Sequence, residues 1–508
     1  MESPTHSKTP ASHAYPQDDD KALEMTNISS QEAGQVSESR FSKVSVWLTL
    51  SFMSIATASD GYNAAVIGNI SLLFDILYPG ALTSTMYSRL SNAFLIGMIF
   101  GMIAFGYVAD QFGRKTGAIA TTIILTVGII LSTAASGTTQ EGMLWMLVVA
   151  RGIAGVGAGG EYPVTGAGAM EATDESSGFR KRRGFIFAIM SEVAASLGYC
   201  FGALVPLILL LCVKQKDSKY ELVWRLSFGV GMIPPLVIFW FRLRMAVSTA
   251  FRKSALRKQN QPYWLIIKKY WRRLLAAGWT WFIYNWISIP FGVFSSTVVS
   301  RVNASESMIK TLGWGVIINA FYLPGPFIGG WLADKLGRKQ TMALGFGLQA
   351  ILGFILGGAY EKIQSIFPLF VVMYGVFLTL GELGPGSVIA LISAEPFPTS
   401  IRAQCNGLIS AFAKVGATLG TEAFTAILSK YKDSPDKGNQ VVFMIGSGFA
   451  VLGAILAWFL LEDVSRDLDD EDERWKKYLA QKGWQGDWGD HETRDPAGVL
   501  QQATYRTS

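Results

Sequence analysis

The sequence predicts an all-α membrane protein with twelve transmembrane helices in two six-helix pseudo-repeats. Three observations carry this reading. Half of the 508 residues are hydrophobic and only 16% are charged, against about 25% in soluble domains, and the mean hydropathy is +0.31. The missing charge is concentrated: stretches such as 184–212 and 440–461 are almost uncharged, over the ~20 residues that cross ~30 Å of hydrocarbon. Finally, GYVADQFGRK at 106–115 recurs as GWLADKLGRK at 330–339, an offset of 224 residues.

Windowed hydropathy places the spans at 44–67, 87–109, 116–136, 142–170, 184–212 and 224–244, then at 274–299, 309–333, 341–360, 366–394, 403–428 and 440–461. Several exceed twenty residues, which implies tilt or extension beyond the bilayer. The organisation is a polar tail (1–43), a six-helix bundle (44–244), a basic linker (245–273), a second bundle (274–461) and an acidic tail (462–508). Net charge is −4 over 1–40 and −5 over 462–508, leaving +15 between them. DLDDEDERWKKYL, around 467–479, reads as a short surface helix. No apolar core of a cleaved signal peptide lies in the first forty residues, so the first span is the expected targeting signal.

Loop charge sets the orientation. With both termini inside, about twenty Lys and Arg residues fall in inner loops and about eleven in outer ones, so both termini of this multi-pass protein are expected in the cytoplasm and the chain in the cell membrane. On that topology Asn303-Ala-Ser305 faces outward as a glycosylation sequon.

The composition also excludes chemistry. The three histidines, His6, His13 and His491, all lie in the tails, and Cys200, Cys212 and Cys405 lack metal-ligand spacing. No GxxxxGK[ST] phosphate loop is present, which argues against an ATP-driven pump. No cofactor, metal, catalytic residue or nucleic-acid partner is expected, and the chain does not read as an enzyme.

The duplicated Gly-x-x-x-Asp-x-x-Gly-Arg-Lys loop ends the second helix of each half. Its glycines permit a tight turn, Asp110 and Asp334 suit Arg or helix termini, and its cations suit lipid headgroups. The same offset carries Glu171 onto Glu395. Duplicated halves commonly enclose a solute site between them. GVGAGGEYP (155–163) formally matches GxGxxG, but no βαβ context surrounds it, and close helix packing accounts better for its glycines. Glu161 is then a carboxylate at membrane depth, suited to proton uptake and release, and Pro163 is expected to break the helix toward a cavity. Asp60, Arg151, Glu192, Glu382, Lys414 and Glu422 are further polar residues at that depth. An unpaired charge there costs at least ~2.5–3.5 kcal/mol, so each should face the interior or a partner.

The repeated loop and the twelve spans resemble the major facilitator superfamily. That implies the major facilitator fold and alternating access by rocking halves, with an inner latch of Asp110, Arg114, Glu171, Asp334, Arg338, Glu395 and Arg402, joined by Arg183. Within it, Asp60-Gly-Tyr-Asn, GGEYP, Trp281 in WTWFIYNW, RLRMAVSTAFRKSA, GPG (384–386), EPFPTSIR (395–402) and AKVGATLGT (413–421) resemble the phosphate:proton symporters, and most of all the fungal glycerophosphodiester permeases. The PESP-type sequence of sugar porters is missing, with Ala246-Val247-Ser248 near its place. The resemblance implies Asp60 and Glu161 as proton-coupling carboxylates and Tyr162, Trp281, Asn285 and Lys414 at the substrate. Its implied partners are an anionic small organic solute, protons and membrane lipid.

A phosphodiester monoanion needs one cation and a few neutral donors; its headgroup needs aromatic and hydroxyl surface. Tyr162, Trp279, Trp281, Tyr284, Trp286 and Tyr322 are candidates for that surface, the alternative being an interfacial belt. The chain also departs from the phosphate symporters. Asn285 and Ile289 stand where they carry Asp and Tyr, Met190 replaces a Gln, and Gly386-Ser387 stand where an Asn is usual. A larger, less acidic pocket follows, and the expectation is proton-coupled import of glycerophosphoinositol or glycerophosphocholine. The rivals are an exporter of a secondary metabolite or other organic solute, and a transporter-like nutrient sensor.

Overall fold

The structure, a computed structural model, describes residues 18–174, 182–214, 216–244, 263–295, 298–299, 307–462 and 468–484. Its spanning helices are α1 (Asp18–Leu77), α2 (Ser84–Gln111), α3 (Arg114–Thr133), α4 (Gln140–Asp174), α5 (Arg183–Cys212) and α6 (Tyr220–Leu243). They continue as α7 (Tyr263–Val293), α8 (Met308–Lys335), α9 (Arg338–Gly358), α10 (Phe367–Ala394), α11 (Arg402–Lys430) and α12 (Pro435–Leu460), before a terminal α13 (Leu468–Gln481). Every predicted span has its helix, and the described residues contain no strand.

Nine of the described helices are long and apolar enough to cross a membrane. The three outside that set, α1, α7 and α11, carry Asp60 and Asn63, then Thr280, Asn285 and Ser288, then Asn406, Ser410, Lys414 and Thr421, all buried. Polar groups buried toward other helices lower hydropathy without exposing charge to lipid. The outward faces carry exposed Phe100, Ile351 and Phe459, apolar surface that suits hydrocarbon and would aggregate in water.

Met1–Thr49 and Leu50–Ser508 form separate units. Both predicted bundles lie in the second from Leu50 onward, because α2 packs along α11 and α5 along α8. α7 begins at Tyr263, so the last part of the predicted linker is helix; 245–262, the tails 1–17 and 485–508, and Asn303 lie outside the described residues.

The repeat is visible in the backbone. Gly113 and Gly337, the residues before α3 and α9, adopt φ +106° and +102°, a region that L side chains avoid. The other predicted glycine role also holds: a Cβ on Gly160 would stand 2.5 Å from Thr121 Cγ2 and 2.6 Å from the Phe105 ring. Pro163, however, does not break α4, which runs through it to Asp174; neighbouring helices tolerate such prolines in membranes. The irregular turns are instead π-helical, at Ala188–Val193 in α5 and Glu382–Gly386 in α10. Such insertions re-aim side chains and recur at functional sites.

Candidate functional site

The two copies of the repeated loop make reciprocal contacts at one end of the helices. Asp110 takes Arg114 Nη1 at 2.5 Å and accepts the Gln404 N–H at 2.8 Å, near the start of α11. Asp334 accepts the N–H groups of Gly184 and Phe185, each at 2.9 Å, at the start of α5, with Arg338 Nη1 3.7 Å away. Each aspartate thus serves orphan donors at the positive end of a helix from the other half of the sequence. Glu395 receives Arg183 Nη1 at 3.1 Å and Arg338 Nε at 3.2 Å. Arg402 is fully buried and donates from Nε to the Phe397 carbonyl at 3.2 Å. Of the predicted latch, the Glu171 side chain lies outside the described residues.

The opposite end also carries contacts between the two halves of the sequence. Asn92 Nδ2 donates to Glu422 Oε1 at 2.7 Å, and the Phe294 ring stacks on Phe424 at 5.3 Å and meets Tyr87 at 5.4 Å. Arg151 is structural: its Nε donates to the Leu90 carbonyl at 2.9 Å while its guanidinium lies over the Phe94 ring.

Between these ends lie two cavities that share Tyr162 and Trp281, whose rings are 6.4 Å apart. One, of about 50 Å³, is lined by Met53, Thr57, Asp60, Thr165 and Asn406. Asp60 is buried and its Oδ1 has no hydrogen-bond partner among the described residues. The other, of about 60 Å³, is lined by Glu192, Tyr199, Tyr284, Asn285, Ser288, Tyr322, Glu382 and Lys414. Together they are far below the 300–1,000 Å³ typical of sites that bury a ligand, so a solute requires them to widen. Lys414 Nζ stands 5.2 Å over the Tyr162 ring, and among the described residues no carboxylate lies within ion-pair distance of it. Asn285 Nδ2 is buried without an acceptor.

Tyr162, Trp281, Asn285 and Lys414 therefore come together, with Asp60 in the adjoining cavity, and Glu161 does not join them. Its carboxylate is gripped by both terminal nitrogens of Arg242 in α6 and accepts the Thr121 hydroxyl at 2.6 Å. Successive residues on a helix point about 100° apart; Tyr162 faces the cavities, so Glu161 faces α3 and α6. Arg242 further donates to the Ala118 carbonyl at 2.7 Å. In the sequence Arg242 is only one more cation near the inner end of the sixth span, and Tyr199 is one ring among many. Of the aromatic candidates, Tyr284 and Tyr322 line the site, whereas Trp279 is exposed on Phe412 and Trp286 stacks on Phe449.

This architecture has relatives. The sugar (and other) transporter family matches over residues 49–258 and 246–475. The chain belongs to that family of major facilitators. Among curated proteins, it is 36% identical to glycerophosphoinositol permease 1 of Candida albicans, over 85% of this chain and 82% of the relative. It is 34% identical to the MFS-type transporter lnaF of Aspergillus flavus (86% and 87%) and 34% to glycerophosphocholine permease GIT4 of Candida albicans (84% and 80%). Among solved structures, the proton:xylose symporter XylE of E. coli superposes with a TM-score of 0.69 over 85% of this chain and 99% of that one, at 17% identity. The chain is therefore a multi-span membrane transporter with the major facilitator fold, related to the fungal glycerophosphodiester permeases that its motifs resemble, and its family is not one of enzymes.

Proposed function

We propose that this transporter imports glycerophosphodiesters into the cell across the cell membrane, coupled to protons, with both termini cytoplasmic. The observation that carries the reading is the pairing of unspent donors with aromatic walls. Lys414 is buried and Asn285 Nδ2 is buried without an acceptor, both beside Tyr162, Trp281 and Tyr322, which is one cation and one neutral donor for a singly charged diester. The names of two relatives, a glycerophosphoinositol permease and a glycerophosphocholine permease, support the same class.

Coupling is assigned to Asp60. Its buried carboxylate has no hydrogen-bond partner at Oδ1 among the described residues, which is costly while charged, and taking up a proton lowers that cost. Arg242 already compensates Glu161, so the proposal gives Glu161 a structural role in place of the expected proton transfer. The loop-end contacts of Asp110, Asp334 and Glu395 form the inner latch, broken when the halves rock and the solute is released. Asn303, on the outward side of this topology, is the proposed glycosylation site. The test is uptake of labelled glycerophosphoinositol and glycerophosphocholine at pH 5 and 7.5 in yeast lacking its own permeases, with surface delivery checked. Saturable uptake at pH 5 that a protonophore abolishes is expected; no uptake of either compound by a delivered protein refutes the substrate class.

The departures at Asn285 and Met190 from the phosphate symporters permit a second reading, outward transport of an organic solute. Resistance to an added solute on overexpression, without uptake, would select it.

A further inference from the structure

The larger cavity carries more carboxyl groups than a phosphodiester carrier needs, against the less acidic pocket expected from the sequence. Glu192 and Glu382 line it, and Lys414 is the sole Lys or Arg among its lining residues. An anionic diester with a neutral headgroup would engage Lys414 and leave the Glu382 carboxyl without a counter-charge, whereas buried charges are tolerated when paired. We propose that Glu382, with the rings of Tyr199, Tyr284 and Tyr322, is a subsite for an ammonium group, so that the favoured solute is a zwitterion whose diester lies at Lys414 and Asn285. The proposal rests on the phosphodiester reading above and specifies its headgroup.

Geometry carries it. Glu382 sits at the head of the π turn of α10 and is 4% exposed. Its Oε1 accepts the Tyr284 hydroxyl, and its Oε2 has no hydrogen-bond partner among the described residues. An ionised carboxylate accepts several bonds, so one oxygen remains for a cation. The Tyr199 and Tyr322 rings stand 5.7 Å apart at the same cavity. The Tyr322 hydroxyl is fixed by the Ser288 carbonyl at 3.0 Å, which holds its ring in place. Aromatic faces beside a carboxylate recognise an alkylated ammonium. Lys414, in the same cavity wall, rests on Tyr162, so opposite charges are received by different groups.

The test compares full-length wild type with Glu382→Gln, Glu382→Asp and Tyr199→Ala, using glycerophosphocholine and glycerophosphoinositol, with choline as competitor. Wild type should take up the choline diester with the lower KM, and choline alone should compete where myo-inositol does not. Glu382→Gln should raise the KM for the choline diester tenfold or more and leave that for the inositol diester within threefold. Glu382→Asp should retain part of the preference. Tyr199→Ala, which leaves the Tyr284 contact intact, should raise the choline-diester KM alone. Equal effects on both diesters, or an unchanged ratio, overturn the subsite. If wild type takes up neither diester, the phosphodiester reading has failed and the subsite is decided on purified protein. Thermal stabilisation by choline that Glu382→Gln abolishes supports it, and none in wild type overturns it.

Discussion

Replacing Arg242 by Met strands the Glu161 carboxylate. In the native structure that group is 2% exposed, bound by two guanidinium nitrogens and by the Thr121 hydroxyl. Two unit charges about 4 Å apart attract by about 4 kcal/mol at an effective dielectric of 20, and losing one partner of a buried pair costs about 3–5 kcal/mol. Arg242→Met should therefore destabilise the protein by about 3 kcal/mol or more, and Glu161→Gln by a similar amount, because the guanidinium is then left uncompensated. The double variant should recover most of the loss, since a buried pair replaced as a unit is close to neutral. The assay is a double-mutant cycle on purified protein in detergent, with transport measured on every variant that folds. A coupling energy under about 0.5 kcal/mol would refute the pair as a structural element. Loss of pH-dependent accumulation in a fully stable Glu161→Gln variant would return that residue to proton transfer.

Three other outcomes are expected. Asp110→Ala removes a helix-end acceptor worth about 0.5–2 kcal/mol, so labelling of buried Cys405, beside Gln404, by a maleimide in a Cys200/Cys212-free background should accelerate about 2- to 30-fold; an unchanged rate contradicts the latch. Gly160→Val should cost about 1–3 kcal/mol or more by overpacking against Thr121 and Phe105, read as folded yield, whereas Gly347→Val, with nothing within 4 Å, should be tolerated. Trp475→Ala, emptying a buried site worth about 3–5 kcal/mol, should loosen α13 and speed hydrogen exchange at the Thr399 amide, which Asp472 holds at 2.7 Å; protected exchange would show that α13 is held by other contacts.

Much of the fold was legible because bilayer thickness imposes one length on every span, and because duplicated motifs such as GYVADQFGRK and GWLADKLGRK mark equivalent helix ends. Even the positive φ of Gly113 and Gly337 follows from that repeat. The site was legible in part. Asp60, Tyr162, Trp281 and Lys414 stood out as polar or aromatic groups in apolar helices, but which of them meet depends on helix rotation and on pairing between segments distant in sequence. Glu161 and Arg242 are 81 residues apart, and no local pattern joins them. The π turn that aims Glu382 leaves no periodic signature in five residues. The surface helix read from the acidic tail is present, but Trp475 and Leu479 are fully covered and Glu471 accepts the Tyr270 hydroxyl at 2.8 Å. The amphipathic pattern predicted a helix and could not name its docking partner.

The central claim is that the buried Asp60 couples proton movement to diester movement through the chamber at Lys414. Its most direct test is reconstitution of purified wild type and Asp60→Asn into liposomes with an imposed inward proton gradient, following labelled glycerophosphocholine and internal pH together. The account predicts that wild type accumulates the diester above equilibrium and acidifies the lumen, while Asp60→Asn exchanges diester across the membrane without accumulation. Gradient-driven accumulation by Asp60→Asn at the wild-type level would contradict it.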